Sequence, residues 1–245
     1  VGSEMCIRDS DGLVDSALGV AMGELTETGN TERHIGRQEQ DEVAARSHQL
    51  AGKAQQDGVF AEEIAPIEIP QRKGDPVTVA EDQGVRPDST AEGLGKLRPA
   101  FTKDGTITAG NSSPISDGAA AVVLTTRGYA QEHGLEWLAV VGSPGQVAGP
   151  DTSLHSQPSH AIEHALSRSG WDVSELDFIE INEAFAAVSV QSVKDLGVDM
   201  EKVNIHGGAI ALGHPIGASG ARLAPHAAME LARRRPGNAA VSLCG

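Results

Sequence analysis

From residue 158 onward, apolar runs and polar breaks alternate at a regular rhythm. Pro158 to Arg168 has helical spacing, begins on a proline and stops at Gly170, which predicts a helix. Asp177 to Ile181 predicts a strand, Asn182 to Leu196 a helix closed by Gly197, and Val203 to Ile205 a second strand. Gly220 to Arg235 predicts a helix, with Arg233, Arg234 and Arg235 at the end where cations suit the dipole. Ala239 to Cys244 predicts a last strand. Strands alternating with helices imply an α/β fold with a mostly parallel sheet. Parallel strands are buried on both faces and so tend to run apolar.

The first half is less regular. Residues 1–11 have no periodicity and read as an unrelated leader or artefact. Residues 11–37 are polar and broken by glycines, so Met22-Gly23 is expected to be a buried contact within a loop. Val43, Ser47, Leu50 and Ala54 share one face of a helix expected over Gln38 to Gln56. Ile64, Ile67 and Ile69 suggest a short strand, and the proline-punctuated stretch 70–92 an excursion from the core. A Thr-Ile-Thr strand at 106–108 runs into small polar residues up to Gly118. The continuous apolar run Ala119 to Leu124 suits a buried strand or helix start.

Composition narrows the function classes. The 245 residues allow one large domain or two modest ones. With 34 acidic against 19 basic residues, the formal charge is -15 and no basic face for nucleic acid is expected. No apolar run approaches the roughly 20 residues that a membrane-crossing helix needs. Two cysteines, Cys6 and Cys244, make neither a disulfide framework nor a metal site, and fit a reducing, cytoplasmic compartment.

In open α/β sheets, sites lie beyond the carboxyl ends of the strands. Asn182-Glu183, the loop around His214 and Cys244 all fall there. His206 to Gly220 holds five glycines in fifteen residues, and Pro215 keeps His214 near an extended conformation. The loop reads equally as a mount for an acid or base and as a structural turn. Cys244, His214 and Asn182 together would suit acyl transfer or proton abstraction beside a carbonyl, with amide and imidazole donors for an oxyanion. No G-x-S-x-G elbow appears, since Ser219 stands in Gly-Ala-Ser-Gly. The small hydroxyls of Gly105 to Gly118 read either as a polar ligand site or as an ordinary turn. His155, His160 and His164 lack acidic or cysteine companions at metal-binding spacing and are expected to be surface or half-buried structural residues.

Several long motifs carry a family resemblance. Asn182-Glu183-Ala184-Phe185-Ala186, the run from Asn204 to Gly220 and Cys244-Gly245 resemble the thiolases, most closely the acetyl-CoA C-acetyltransferases. Arg98 to Phe101, Thr108 to Ser113 and Asp117 to Ala121 add to the resemblance. It implies a thiolase-like fold, αβαβα in layers when complete, with a mixed sheet and a covering loop domain. Residues 12–114 would be part of the loop domain that covers coenzyme A. Residues 115–136 would end the first core domain, and 137–245 would form most of the second.

The resemblance implies ping-pong condensation of two acetyl-CoA to acetoacetyl-CoA plus CoA, or the reverse. His214 would take the proton of a nucleophilic cysteine. Cys244 would exchange the α-proton, and Asn182 would serve an oxyanion hole with His214. Ser113, Arg86, Met22 and Phe101 would contact coenzyme A or line its pocket. CoA thioesters are then substrates, no separate cofactor is implied, and a homodimer or homotetramer is. The alternatives are a degradative 3-ketoacyl-CoA thiolase and a non-catalytic CoA-thioester-binding relative. A Cys-x-Ser-Gly-like nucleophile segment is absent from the chain. The resemblance therefore implies a truncated chain, inactive alone.

Overall fold

The computed structural model describes residues 12–234 and 236–244. The stretch 1–11 with Cys6, expected to be a leader, Arg235, expected at a helix end, and Gly245 lie outside the described residues.

Two helices open the fold. Helix α1 spans Met22–Arg33 and ends on His34 in the left-handed region. It corrects the loop expected at 11–37. Its buried face carries Thr26, Glu27 and Asn30 rather than aliphatics, so no apolar period marks it. Those groups are satisfied across the chain. The Glu27 carboxylate accepts from the Thr106 and Ile107 amides at 2.8 and 2.7 Å. Asn30 donates to the Thr106 hydroxyl at 2.9 Å. The same bonds hold 106–108 as a loop crossing the helix, with a single bridge from Thr108 to Pro99 in place of the expected strand. Helix α2, Arg37–Gln56, starts one residue before the expected position and buries Val43, Ser47 and Ala54.

Strands β1, Ile67–Ile69, and β2, Val77–Val79, pair antiparallel as an exposed ribbon within the polar excursion. Helix α3, Ala91–Leu94, follows, capped by the Thr90 hydroxyl, and α4, Arg127–Glu132, is capped by Thr126. The run Ala119 to Leu124 is neither strand nor helix and lies exposed, with Val123 at 96%. Its expected burial is corrected: among the described residues it has no strand to pair with.

The last third matches the predicted rhythm most closely. Helix α5 is Gln157–Ser169, strand β3 Phe178–Ile181, helix α6 Ala186–Leu196, the short α7 Ala209–Leu212, helix α8 Ser219–Arg234, and strand β4 Ala239–Ser242. Strands β3 and β4 pair in parallel, Phe178 opposite Ala239 and Ile181 opposite Ser242. Val203 adds one parallel bridge to Ile179 rather than a full strand. Ile179 and Ile181 pack with Leu154, Ile162, Leu166, Val188, Leu196 and Val203 into the main core. A second cluster joins α2 to α6 and α7 through Val43, Ala44, Ala187, Val190 and Ile210. Helix α6 begins four residues later than expected, because 182–185 is used as a connection carrying the candidate site. No helix among the described residues is long and apolar enough to cross a membrane.

Candidate active site at the strand ends

The connection after β3 is fixed from both sides. The Asn182 amide donates to the Ser242 carbonyl at 2.9 Å, extending the β3–β4 ladder by one residue. Asn204, held in the left-handed region at φ 49, acts as a substitute strand partner. Its side-chain oxygen accepts from the Ile181 amide at 2.8 Å, and its NH2 donates to the Ile181 carbonyl at 2.9 Å. The same NH2 donates to the Glu183 carboxylate at 2.9 Å. Glu183 also accepts from the Ser47 hydroxyl at 2.6 Å and the Ile210 amide at 3.2 Å. Burial raises its carboxyl above the usual range, and these bonds oppose the shift. Gly208 is required here, since a methyl group would overlap the Glu183 carboxylate. Glu183 therefore anchors the glycine-rich loop to helix α2 and to the β3 end.

That anchoring brings Asn182 and His214 together. The Asn182 amide nitrogen lies 3.4 Å from both ring nitrogens of His214, so it faces the ring edge between them and aligns with neither. The Asn182 side-chain oxygen is buried without a hydrogen-bond partner among the described residues. Ser219, at the start of α8, fixes the imidazole. Its hydroxyl donates to the Pro215 carbonyl at 3.1 Å, so its oxygen is left to accept from His214 Nδ1 at 2.6 Å. With that assignment the proton is on Nδ1, and Nε2 keeps a free lone pair. Burial, and then the charge of Arg222, hold the imidazole below its usual pKa, so the ring is neutral at pH 7. The arrangement is that of a mounted base beside an amide donor.

Cys244 follows β4 as Asn182 follows β3, so the two stand at neighbouring strand ends. It is a free thiol packed against the main core, and burial pushes it up to about 11. A thiol in that state is a proton donor at neutral pH rather than a thiolate.

The remaining candidates lie on two surrounding segments. Ser113 is tied to the site connection: its amide and its hydroxyl both donate to the Ala184 carbonyl at 3.1 Å. Met22 and Phe185 both pack against the main core. Phe101 stands edge-on to Phe185 at 6.0 Å and covers Gly23, where a methyl would overlap its ring. Phe101 and Phe185 thus form an apolar pair over Gly23, with Ser112 bridged to Phe185. Arg86 is exposed on a separate loop, its amide donating to His48 Nδ1 at 3.2 Å. No described contact joins Arg86 to His214 or Cys244.

His155 corrects the expectation for a surface or half-buried histidine. It is fully buried, with Nε2 2.8 Å from the Asn30 side-chain oxygen, and burial lowers it to about 4. Sequence reasoning missed Ser219 and Arg222, five and eight residues after His214. It also missed Ser47 and Asn204, whose signal is only a polar residue inside a helix or strand pattern.

The thiolase N-terminal domain model matches residues 3–128, and the thiolase C-terminal domain model matches 135–245. A probable acetyl-CoA acetyltransferase of Mycolicibacterium smegmatis is 60% identical over 96% of this chain and 61% of its own length. The crystal structure of the Bacillus anthracis acetyl-CoA acetyltransferase superposes with a TM-score of 0.88 at 41% identity, covering 96% of this chain and 60% of that one. Human mitochondrial 3-ketoacyl-CoA thiolase, in complex with CoA, gives 0.87 at 38% identity, covering 96% of this chain and 58% of that one. The chain thus spans about three fifths of the length of these relatives. Its sequence motifs, its fold and the two family matches together make this chain a member of the thiolase family.

Proposed function

We propose that this chain forms the larger part of an acetyl-CoA C-acetyltransferase, acting on acetyl-CoA and acetoacetyl-CoA by acyl transfer. The observation that carries the reading is the Asn182–His214 pair, with Nε2 of His214 unprotonated by the Ser219 contact. His214 takes the proton of the nucleophilic cysteine that the thiolase resemblance implies. Asn182 and the same ring then meet the thioester oxygen as it gains charge. Cys244 gives a proton to the enolate in thiolysis, which suits a thiol held protonated. In condensation it must first lose that proton, and the bound substrate has to supply the stabilisation. Met22 and Phe101 wall the acyl end, Ser113 lies along the pantetheine arm, and Arg86 meets the nucleotide end of coenzyme A. Residues 12–114 are part of the covering loop domain, 115–136 the end of the first core domain and 137–245 most of the second. The enzyme is a cytoplasmic homodimer or homotetramer.

A chimera tests the reading. Residues 12–245 replace the matching part of the Mycolicibacterium smegmatis relative, and acetoacetyl-CoA thiolysis is measured. The chimera is expected to be active. H214A and C244S each lower kcat by about 100-fold or more, the usual contribution of a positioned acid or base. N182A lowers it by about 100-fold, as loss of an oxyanion donor does. Retention of activity in H214A within about tenfold of the parent contradicts the assignment.

The likeness to 3-ketoacyl-CoA thiolase supports a second reading, thiolysis of longer 3-ketoacyl-CoAs. Comparing kcat/KM of the chimera on acetoacetyl-CoA and on a longer ketoacyl-CoA separates the two.

A further inference from the structure

Residues 111–113 cross the site connection and the first residue of α6 as a short antiparallel step. The Ser113 amide donates to the Ala184 carbonyl at 3.1 Å, and the Ala186 amide donates to the Asn111 carbonyl at 2.9 Å. Between these two bonds Ser112 stands opposite Phe185. A two-stranded pairing this short is marginal in water on its own. Something else has to hold the arm in place.

The Asn111 side chain does so. It is fully buried, and every hydrogen-bonding group of its amide is committed. Its oxygen accepts from the Thr108 amide at 2.7 Å. Its NH2 donates to the Thr106 carbonyl at 3.1 Å and to Asp41 Oδ1 at 2.9 Å. Asp41 lies on α2, 2% exposed, and its other oxygen accepts from Arg37 Nε at 2.7 Å. Arg37 in turn donates through Nη2 to the Leu94 and Leu97 carbonyls at 2.6 and 3.1 Å. Changing one member of such a buried pair leaves the other unsatisfied, so the arm and α2 are tied at one point.

We propose that Asp41 and Asn111 are positioning residues of this site: their bond sets where Ser113 lies against the connection, and so how the coenzyme A arm is received. The proposal rests on the reading of Ser113 as a coenzyme A contact. The acid–base side is fixed by other groups. The Asn182 amide donates to the Ser242 carbonyl, and His214 is bound by Ser219. The Asp41–Asn111 pair therefore acts on binding rather than on proton transfer.

Hydrogen exchange of backbone amides in the full chain, without ligand, reads the holding directly. N111D sets two carboxylates against each other. It is expected to lower protection of the Ser113 and Ala186 amides by about tenfold or more, while the Asn182 amide stays within about threefold of wild type. The exchanged pair D41N/N111D turns the bond around, the amide at 41 donating to the carboxylate at 111, and loses only the bond to the Thr106 carbonyl. It is expected to bring protection back to within about threefold of wild type. Equal loss at all three amides, which a merely structural pair would give, overturns the proposal. Unchanged protection in N111D, or no recovery in the exchanged pair, also overturns it. If N111D does not fold, D41A decides alone by the same comparison of Ser113 and Ala186 with Asn182. In the active chimera, N111D is expected to raise KM for CoA by about tenfold with kcat within about threefold. An unchanged KM, or a fall in kcat without a rise in KM, overturns the role in the site. An inactive parent chimera would sink the acyl-transfer reading and leave the exchange measurement to decide this proposal.

Discussion

Phe178–Ile181, apolar but for Glu180, and the continuous apolar run Ala119 to Leu124 are both short, and their fates are opposite. The first is strand β3, buried at all four positions. The second is exposed along its length and carries no ladder. The difference is not in hydrophobicity. Strand β3 has β4 on one side and the Val203 bridge and Asn204 side chain on the other, so its backbone groups are paired. Backbone pairing has to be supplied before an apolar run can be buried at low cost. The functional groups follow the same division: Asn182, Ser219, His214 and Cys244 are all mounted on or beside the paired strands.

The comparison can be broken by mutation. F178A is expected to cost about 3–5 kcal/mol, as truncation of a fully buried aromatic does. V123A is expected to fall within about 0.5 kcal/mol of wild type. Urea unfolding of both variants reads the difference, and equal costs would remove the distinction between the two runs.

Acid sharpens it on the side of the helices packed around the paired strands. His155 is buried neutral, with a folded value of about 4 against an ordinary 6.5. The unfolded chain binds the proton first, so this contribution is intact above about 6.5 and declines as pH falls towards 4. The full effect is on the order of 3 kcal/mol. Unfolding midpoints measured across that window should fall with pH in wild type and fall less in H155Q.

A smaller effect is expected at Ser219. S219A removes the acceptor of the His214 Nδ1 proton, a bond worth about 1 kcal/mol. In the active chimera this should lower kcat by roughly tenfold while KM stays nearly unchanged. A rise in KM alone would place Ser219 in substrate binding instead.

Much of this division was legible in the sequence. The helix–strand rhythm after Pro158 gave β3, α5, α6 and α8 to within a few residues, because aliphatic periods there match burial. The strand-end rule picked out Asn182, His214 and Cys244 together. Helix α1 was invisible because its buried face is polar and is paid for by partners 76–80 residues away, such as Thr106 and Ile107. The apolar run at 119–124 was misleading for the converse reason, since periodicity records an appetite for burial and says nothing of a partner. Ser219 and Arg222 escaped because their importance depends on which face of α8 turns to β3, and that is a tertiary fact.

The account depends most on the state of one ring. A long-range ¹H–¹⁵N spectrum of the His214 side chain in the full chain, recorded at neutral pH, reads that state directly. The predicted result is a protonated, pyrrole-like Nδ1 bound to Ser219 and a pyridine-like Nε2. A protonated Nε2, whether with a pyridine-like Nδ1 or in a doubly protonated ring, would leave Nε2 without a lone pair to offer and would contradict the assignment of this site.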